Sequence, residues 1–206
     1  MRKLILLVLL SVFGALAAFS QRIEVGLRDN NYVHANFRSQ SGWIAGYEQS
    51  LLNASLKEQS GRLFAGYVLD KEQWNISGTA YYGSEYTGNW QAYGVFVEGL
   101  YHIGRFYVDG IMNPHYDSGL EFKFCYQAES GVALWQKQQN NQRLELCASY
   151  GNVPEYRQAT DNLRAGLKFT SGNLWVKPMV CIPVNDKDNG QKLVRAICSF
   201  GWSVLL

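Results

Sequence analysis

From residue 21 onward, apolar and polar residues alternate along the chain. Leu120, Phe122, Phe124 and Tyr126 alternate with Glu121, Lys123, Cys125 and Gln127, and Leu144, Leu146, Ala148 and Tyr150 alternate with Arg143, Glu145, Cys147 and Ser149. Leu163, Ala165, Leu167 and Phe169 do the same with Arg164, Gly166 and Lys168. A period of two sends successive side chains to opposite faces of a strand, so each run has one greasy face. Turn formers stand between the runs: Asp29-Asn30-Asn31, Ser41-Gly42, Ser60-Gly61, Thr87-Gly88-Asn89, Asp117-Ser118-Gly119, Ser130-Gly131, Asn140-Asn141, Ser171-Gly172-Asn173 and Asn189-Gly190. Helical spacing is hard to find, and no linker or second composition zone breaks the rhythm. The pattern predicts an all-β chain, a continuous meander of antiparallel hairpins in a single domain.

At roughly 15 residues per tilted strand and turn, residues 21–206 hold about 12 strands, within a range of about 10–14. The runs themselves number about 13, and a meander closed on itself is even-numbered, so one hairpin is misread. The least secure stretch is Gly42 to Lys57. Pro178, inside an otherwise clear strand, is expected to mark a bulge because it removes a ladder donor.

Composition decides what the greasy face meets. The chain is 47% hydrophobic and only 17% charged, against about 25% charged in soluble domains. A soluble sandwich shows a charged outer face, whereas here charge is scarce and the apolar phase carries many Tyr, Trp, Gly and Ala. That mixture fits a lipid-facing band bounded by aromatic girdles, with the polar phase lining an interior. Trp43, Trp74, Trp90 and Trp202 lie near the ends of their runs, where interfacial rings belong, while Trp135 and Trp175 fall on the polar phase. No later stretch approaches the roughly 20 continuous apolar residues of a membrane helix. The expectation is an up-and-down transmembrane β-barrel. The formal charge of +2 is too small to imply an anionic partner, and nothing points to nucleic acid.

The chain starts with basic Met1-Arg2-Lys3, and Leu4 to Phe19 is apolar apart from Ser11. With small Ala18 and Ser20 before Gln21, residues 1–20 read as a cleaved export signal and 21–206 as the barrel domain. Removing Arg2 and Lys3 leaves the mature chain formally neutral. The final strand alternates Val194, Ala196, Cys198, Phe200, Trp202, Val204 and Leu206 with Arg195, Ile197, Ser199, Gly201 and Ser203. A membrane barrel needs such a strand to close on the first, because hydrocarbon satisfies no backbone group. It resembles the C-terminal strand of small Gram-negative outer-membrane β-barrel proteins, though it ends in Leu206 where an aromatic is usual. The resemblance implies the outer membrane as location, lipid as surroundings and the barrel assembly machinery as a partner reached through this strand. Twelve-stranded barrels of this length include narrow oligosaccharide or nucleoside channels and outer-membrane phospholipases. The chain is similar to the oligosaccharide channels in size, signal and a basic sector of the lumen, an analogy of architecture.

Alternation places Glu24, Arg28, His34, Asn36, Arg38, Arg62, Glu85, Glu98, His102, Arg105, Asp109, Glu121, Lys123, Arg143, Glu145, Arg164, Lys168, Lys177 and Arg195 in the interior. Arg164, Lys168, Lys177 and Arg195 belong to the last three strands and have few acidic neighbours in sequence, so one sector of the lumen is expected to be basic. Glu85, Glu98 and Asp109 lie roughly opposite. Together with Lys123 these are the candidate solute-binding residues, and they predict a transverse field that orients solutes. The alternative is a network of cross-strand ion pairs that stiffens a closed interior.

Catalytic patterns find little support. Barrel lipid hydrolases need Ser and His two residues apart on one strand, and His34, His102 and His115 lack such a serine. His115 with Asp117 has the spacing of an Asp-His pair in reversed order, but the sequence Asn113 to Gly119 reads as a turn. Cys125, Cys147, Cys181 and Cys198 sit too many strands apart, or on opposite faces, for disulfides, so free thiols are expected. No metal or other cofactor is implied. The leading expectation is a narrow passive channel for small polar or anionic solutes, or a structural barrel. A lipid-modifying enzyme and a secreted soluble barrel holding a small ligand are the alternatives.

Overall fold

The computed structural model describes residues 22–29, 31–51, 60–86, 89–119, 121–152, 161–184 and 194–205. The export signal, Leu120, Leu206, Thr87-Gly88 and Asn189-Gly190 lie outside the described residues. Among those described are twelve strands: β1 (Arg22–Arg28), β2 (Tyr32–Arg38), β3 (Trp43–Ser50), β4 (Ser60–Asp70), β5 (Trp74–Glu85), β6 (Gln91–Ile103), β7 (Phe106–Asp117), β8 (Phe122–Lys137), β9 (Gln142–Gly151), β10 (Asn162–Ser171), β11 (Leu174–Pro183) and β12 (Arg195–Leu205). Each pairs antiparallel with its sequence neighbours, and β1 pairs with β12, Arg22 opposite Leu205 and Leu27 opposite Phe200. The barrel is therefore closed, with no edge strand left unpaired.

Its burial is inverted relative to a soluble protein. Phe106 is 60% exposed, Phe122 59% and Trp202 52%, whereas inward-facing Asn162 is 0% and Asn113 and His115 are each 1%. Such a surface is stable only against hydrocarbon. Outward aromatics gather near both ends. Tyr82, Tyr93, Tyr116 and Phe122 lie at one, with Tyr93 stacked on Tyr116 at 5.7 Å and Tyr116 edge-on to Phe122 at 5.5 Å. Trp43, Tyr67, Trp74, Tyr101, Phe106 and Trp202 lie at the other. From Tyr93 to Tyr101 is eight residues, which along a tilted strand spans about 20 Å, close to the height of a lipid-facing band.

The two ends differ in their connections. At the end holding Arg22 and Leu205 they are residues 39–42, 71–73, 104–105, 138–141 and 172–173. At the other they are 29–31, 86–90 and 118–121 together with three longer intervals, 51–59, 152–161 and 184–194, and such an asymmetry between the two ends is the rule for bacterial barrels. The ends are called the short-turn end and the long-loop end below.

Inside, several aromatic rings lie flat on glycines of the neighbouring strand rather than across the lumen. Tyr107 faces Gly131 and Trp175 faces Gly201, and a Cβ at either glycine would meet the ring at 2.2 Å or 2.5 Å. His34 covers Gly26 and Phe64 covers Gly46 in the same way. These glycines let bulky residues occupy the inward phase without filling the passage.

Several sequence expectations are revised. Ser130-Gly131 is no turn but the middle of β8, which runs unbroken for 16 residues. A turn there would cut one strand in two and add a run to the count. Pro178 carries no bulge: Gly166 faces Met179 and Phe169 faces Val176, so the register is the same on both sides, with only the pairings between interrupted. The register shift lies instead in β8 between Ala133 and Trp135. That extra residue turns Trp135 from the polar phase outward, where it is 47% exposed. Trp90, expected in a girdle, packs inward against Tyr81 and Ala92. Arg105 and Glu121 sit exposed in connections rather than in the lumen.

Candidate functional site

The lumen wall is built by the inward phase of all the strands, and its charges sort by height. Near the long-loop end, Glu48 on β3 receives Arg28 from β1 at 2.6 Å and Arg62 from β4 at 3.2 Å. Arg62 also lies over the rings of Phe64, Tyr81 and Phe96, the last at 4.6 Å from its centroid. Tyr81 donates to Asn113 Oδ1 at 3.0 Å. His115 is a strand residue of β7, not part of a turn, and its Nδ1 lies 3.2 Å from the Asn113 carbonyl. Asp117 is held by Lys123 and accepts the Gly119 amide at 3.0 Å, so its carboxylate orients a loop and a lysine rather than the histidine.

Here the sequence-predicted residues Lys123, Arg164, Arg195 and Glu85 are found. Arg164 is 5% exposed and donates to Gln127. Arg195 opens β12 with Nη2 3.8 Å from the Cys181 sulfur, and Glu85 ends β5 at the rim, opposite Ser60. Cys125, Cys147, Cys181 and Cys198 are free thiols, the first three buried on the inward phase.

At mid-height the structure brings together Glu98, Asp109, Lys168 and Lys177. Lys177 on β11 reaches across to Glu129 on β8, its Nζ 2.6 Å from Oε1 and 2.5 Å from Oε2. Tyr107 donates to the same Oε1 at 2.7 Å. Lys177 thus has the acidic neighbour that chain order did not suggest, because the curved wall turns the inward side chains of β8 and β11 toward each other across the two strands between them. Asp109 and Glu129 are direct cross-strand partners, and Lys168 lies opposite Glu145, which Arg143 engages at 3.0 Å. Glu98 interacts electrostatically with Asp109, Lys168, Glu129 and Lys177, residues of β7, β8, β10 and β11. It points inward, in phase with Ala92 and His102, and yet is solvent-exposed. An inward carboxylate that neighbours charges of four other strands and is still exposed borders open space in the lumen.

Glu129 and Glu48 were missed from sequence. Glu129 adjoins Ser130-Gly131, which reads as a turn, and Glu48 falls in the stretch Gly42 to Lys57 where the alternation is weakest.

A closed antiparallel barrel with a polar interior and an apolar outer wall is a transmembrane β-barrel. Among solved structures, the KdgM porin in complex with disordered oligogalacturonate shares the fold at a TM-score of 0.53, with 11% identity over 88% of this chain and 96% of that one. The NanC porin does so at 0.52, with 9% identity over 90% of this chain and 98% of that one. The KdgM porin alone gives 0.51 and 11% identity over 90% and 98%. No family model and no curated protein matches the sequence.

Proposed function

We propose that this protein is a narrow passive channel of the bacterial outer membrane, open to small polar or anionic solutes. The observation that carries the reading is Glu98, which faces inward at mid-height and is nevertheless exposed to solvent. A plugged barrel would bury it, as His115 and Asn162 are buried nearer the long-loop end. Lys168 and Arg195 on the β10–β12 side supply positive charge along the wall, which lowers the barrier for an anion in a narrow pore.

Purified protein in a planar bilayer tests this. Stepwise conductance is expected, with ion selectivity shifted toward cations in Lys168→Glu and Arg195→Glu. Absence of conductance from protein that still shifts its gel mobility on boiling would sink the channel reading and favour a structural barrel, which the packed long-loop half of the lumen otherwise suits.

A further inference from the structure

The mid-lumen charges form two like-charge pairs. Asp109 and Glu129 are direct cross-strand partners on β7 and β8. On β10 and β11, Lys168 and Lys177 are placed opposite each other by the register on both sides, Gly166 to Met179 and Phe169 to Val176. Direct partners hold their Cβ atoms about 5 Å apart, and like charges there weaken a sheet. The wall carries both pairs, the acids three strands round from the lysines.

One acid and one lysine satisfy each other, since Lys177 reaches past β10 and β9 to Glu129. The others are left over. Among the described residues Lys168 forms no ion pair, and its ammonium stands 5.9 Å from the Trp175 ring centroid. Glu98, beside Asp109 and exposed to the lumen, forms no ion pair or hydrogen bond among them, and Asp109 Oδ1 is buried without a hydrogen-bond partner. The Lys177–Glu129 bridge therefore adjoins a slot with a cation on β10 and carboxylates on β6 and β7, three to four strands away round the wall.

Resting on the channel reading, we infer that this slot selects small zwitterions, solutes whose carboxylate meets Lys168 while their ammonium meets Glu98 and Asp109. A purely anionic solute satisfies one wall and is repelled by the other. A zwitterion lying between them satisfies both and gains from the field they set up.

Swelling of liposomes containing the purified protein tests this with γ-aminobutyrate, butyrate and butyramide, which are similar in size and differ in charge. We expect γ-aminobutyrate to enter about fivefold faster than butyramide. Glu98→Gln and Lys168→Met should each bring that ratio to about one, and Lys168→Arg should retain it. Gel mobility before and after boiling checks that each variant is folded. If Lys168→Met fails to fold, Glu98→Gln decides. Swelling at equal rates for γ-aminobutyrate and butyramide in the unaltered protein would overturn the slot while leaving the channel intact. No swelling with any solute would overturn the channel reading, and the slot is then read by binding. A saturable change in tryptophan fluorescence on adding γ-aminobutyrate to the protein in micelles, lost in Trp175→Phe and in Lys168→Met, would support it, and a flat titration would overturn it.

Discussion

Two levels of one lumen are lined by the same inward phase and behave differently. Toward the long-loop end, Glu48, Asn113, His115, Asn162 and Arg164 are all buried, each packed against its neighbours. At mid-height Glu98, on the same phase, stands in solvent. Alternation alone does not separate a plug from a passage. What separates them is whether the polar groups of one level reach each other. The arginines of β1 and β4 converge on Glu48 from its two sides. From mid-height toward the short-turn end charges of the same sign instead sit side by side, and the rings of Tyr107 and Trp175 lie flat on glycines.

The same substitution at the two levels breaks the comparison most directly. Glu48→Gln leaves Arg28 and Arg62 without the carboxylate that joins them, and removing one partner of a buried ion pair costs roughly 3–5 kcal/mol. Both arginines keep some solvent contact, with side-chain exposures of 24% and 14%, so the lower end, about 3 kcal/mol, is expected. Urea unfolding in micelles should read it. Glu98→Gln should leave the midpoint nearly unchanged and alter ion selectivity. Equal destabilisation by both variants would show that the two levels are packed alike.

Gly131→Val comes next. A Cβ at residue 131 would meet the Tyr107 ring at 2.2 Å, so the ring must leave the wall and its hydrogen bond to Glu129 must break. Overpacking of this kind costs about 2 kcal/mol. The displaced ring should also narrow the passage, so single-channel conductance is expected to fall together with the unfolding midpoint. A fall in stability with conductance preserved would mean that the ring does not border the open path.

Much of this was legible in the chain. The period of two, the sparse charge and the closing strand Arg195–Leu205 specify a lipid-facing barrel, and twelve strands follow from length. The apolar phases of β9 and β10 face outward as alternation places them. Features that depend on non-local pairing were not legible. Ser130-Gly131 has turn chemistry, but the glycine is in a strand because Tyr107 needs the space above it. Trp135 faces outward because of one extra residue in β8, which periodicity carried forward from Phe122 cannot register. The basic side seemed to lack acids because Glu129 lies 48 residues from Lys177 in sequence. Pairing across a closed barrel follows neither chain order nor nearest strands.

Lys177→Met tests whether that bridge is structural. It removes the cation that Glu129 holds and leaves that carboxylate beside Asp109, its cross-strand partner, with Tyr107 still donating to it, for an expected loss of about 1.5 kcal/mol. In a Glu129→Gln background the loss should largely vanish, since the like-charge pair is then gone. A loss unchanged by Glu129→Gln would assign the role of Lys177 to its aliphatic stem instead.

The smallest effect belongs to the rim of the short-turn end. Arg38 Nη2 lies 3.0 Å from Asp70 Oδ2, with the aspartate side chain 54% exposed. The geometry resembles that of Arg28 and Glu48, but the surroundings are water. Each ion stays hydrated, salt screens the attraction, and fixing two long side chains costs entropy. Asp70→Asn is therefore expected to shift stability by less than about 0.5 kcal/mol, and less still at high salt. The same salt increase should leave the cost of Glu48→Gln largely intact, because that carboxylate is buried and poorly screened. If the Asp70 variant lost as much as the Glu48 variant, or both losses disappeared together in salt, the contrast between a packed level and a wet one would fail at its physical root.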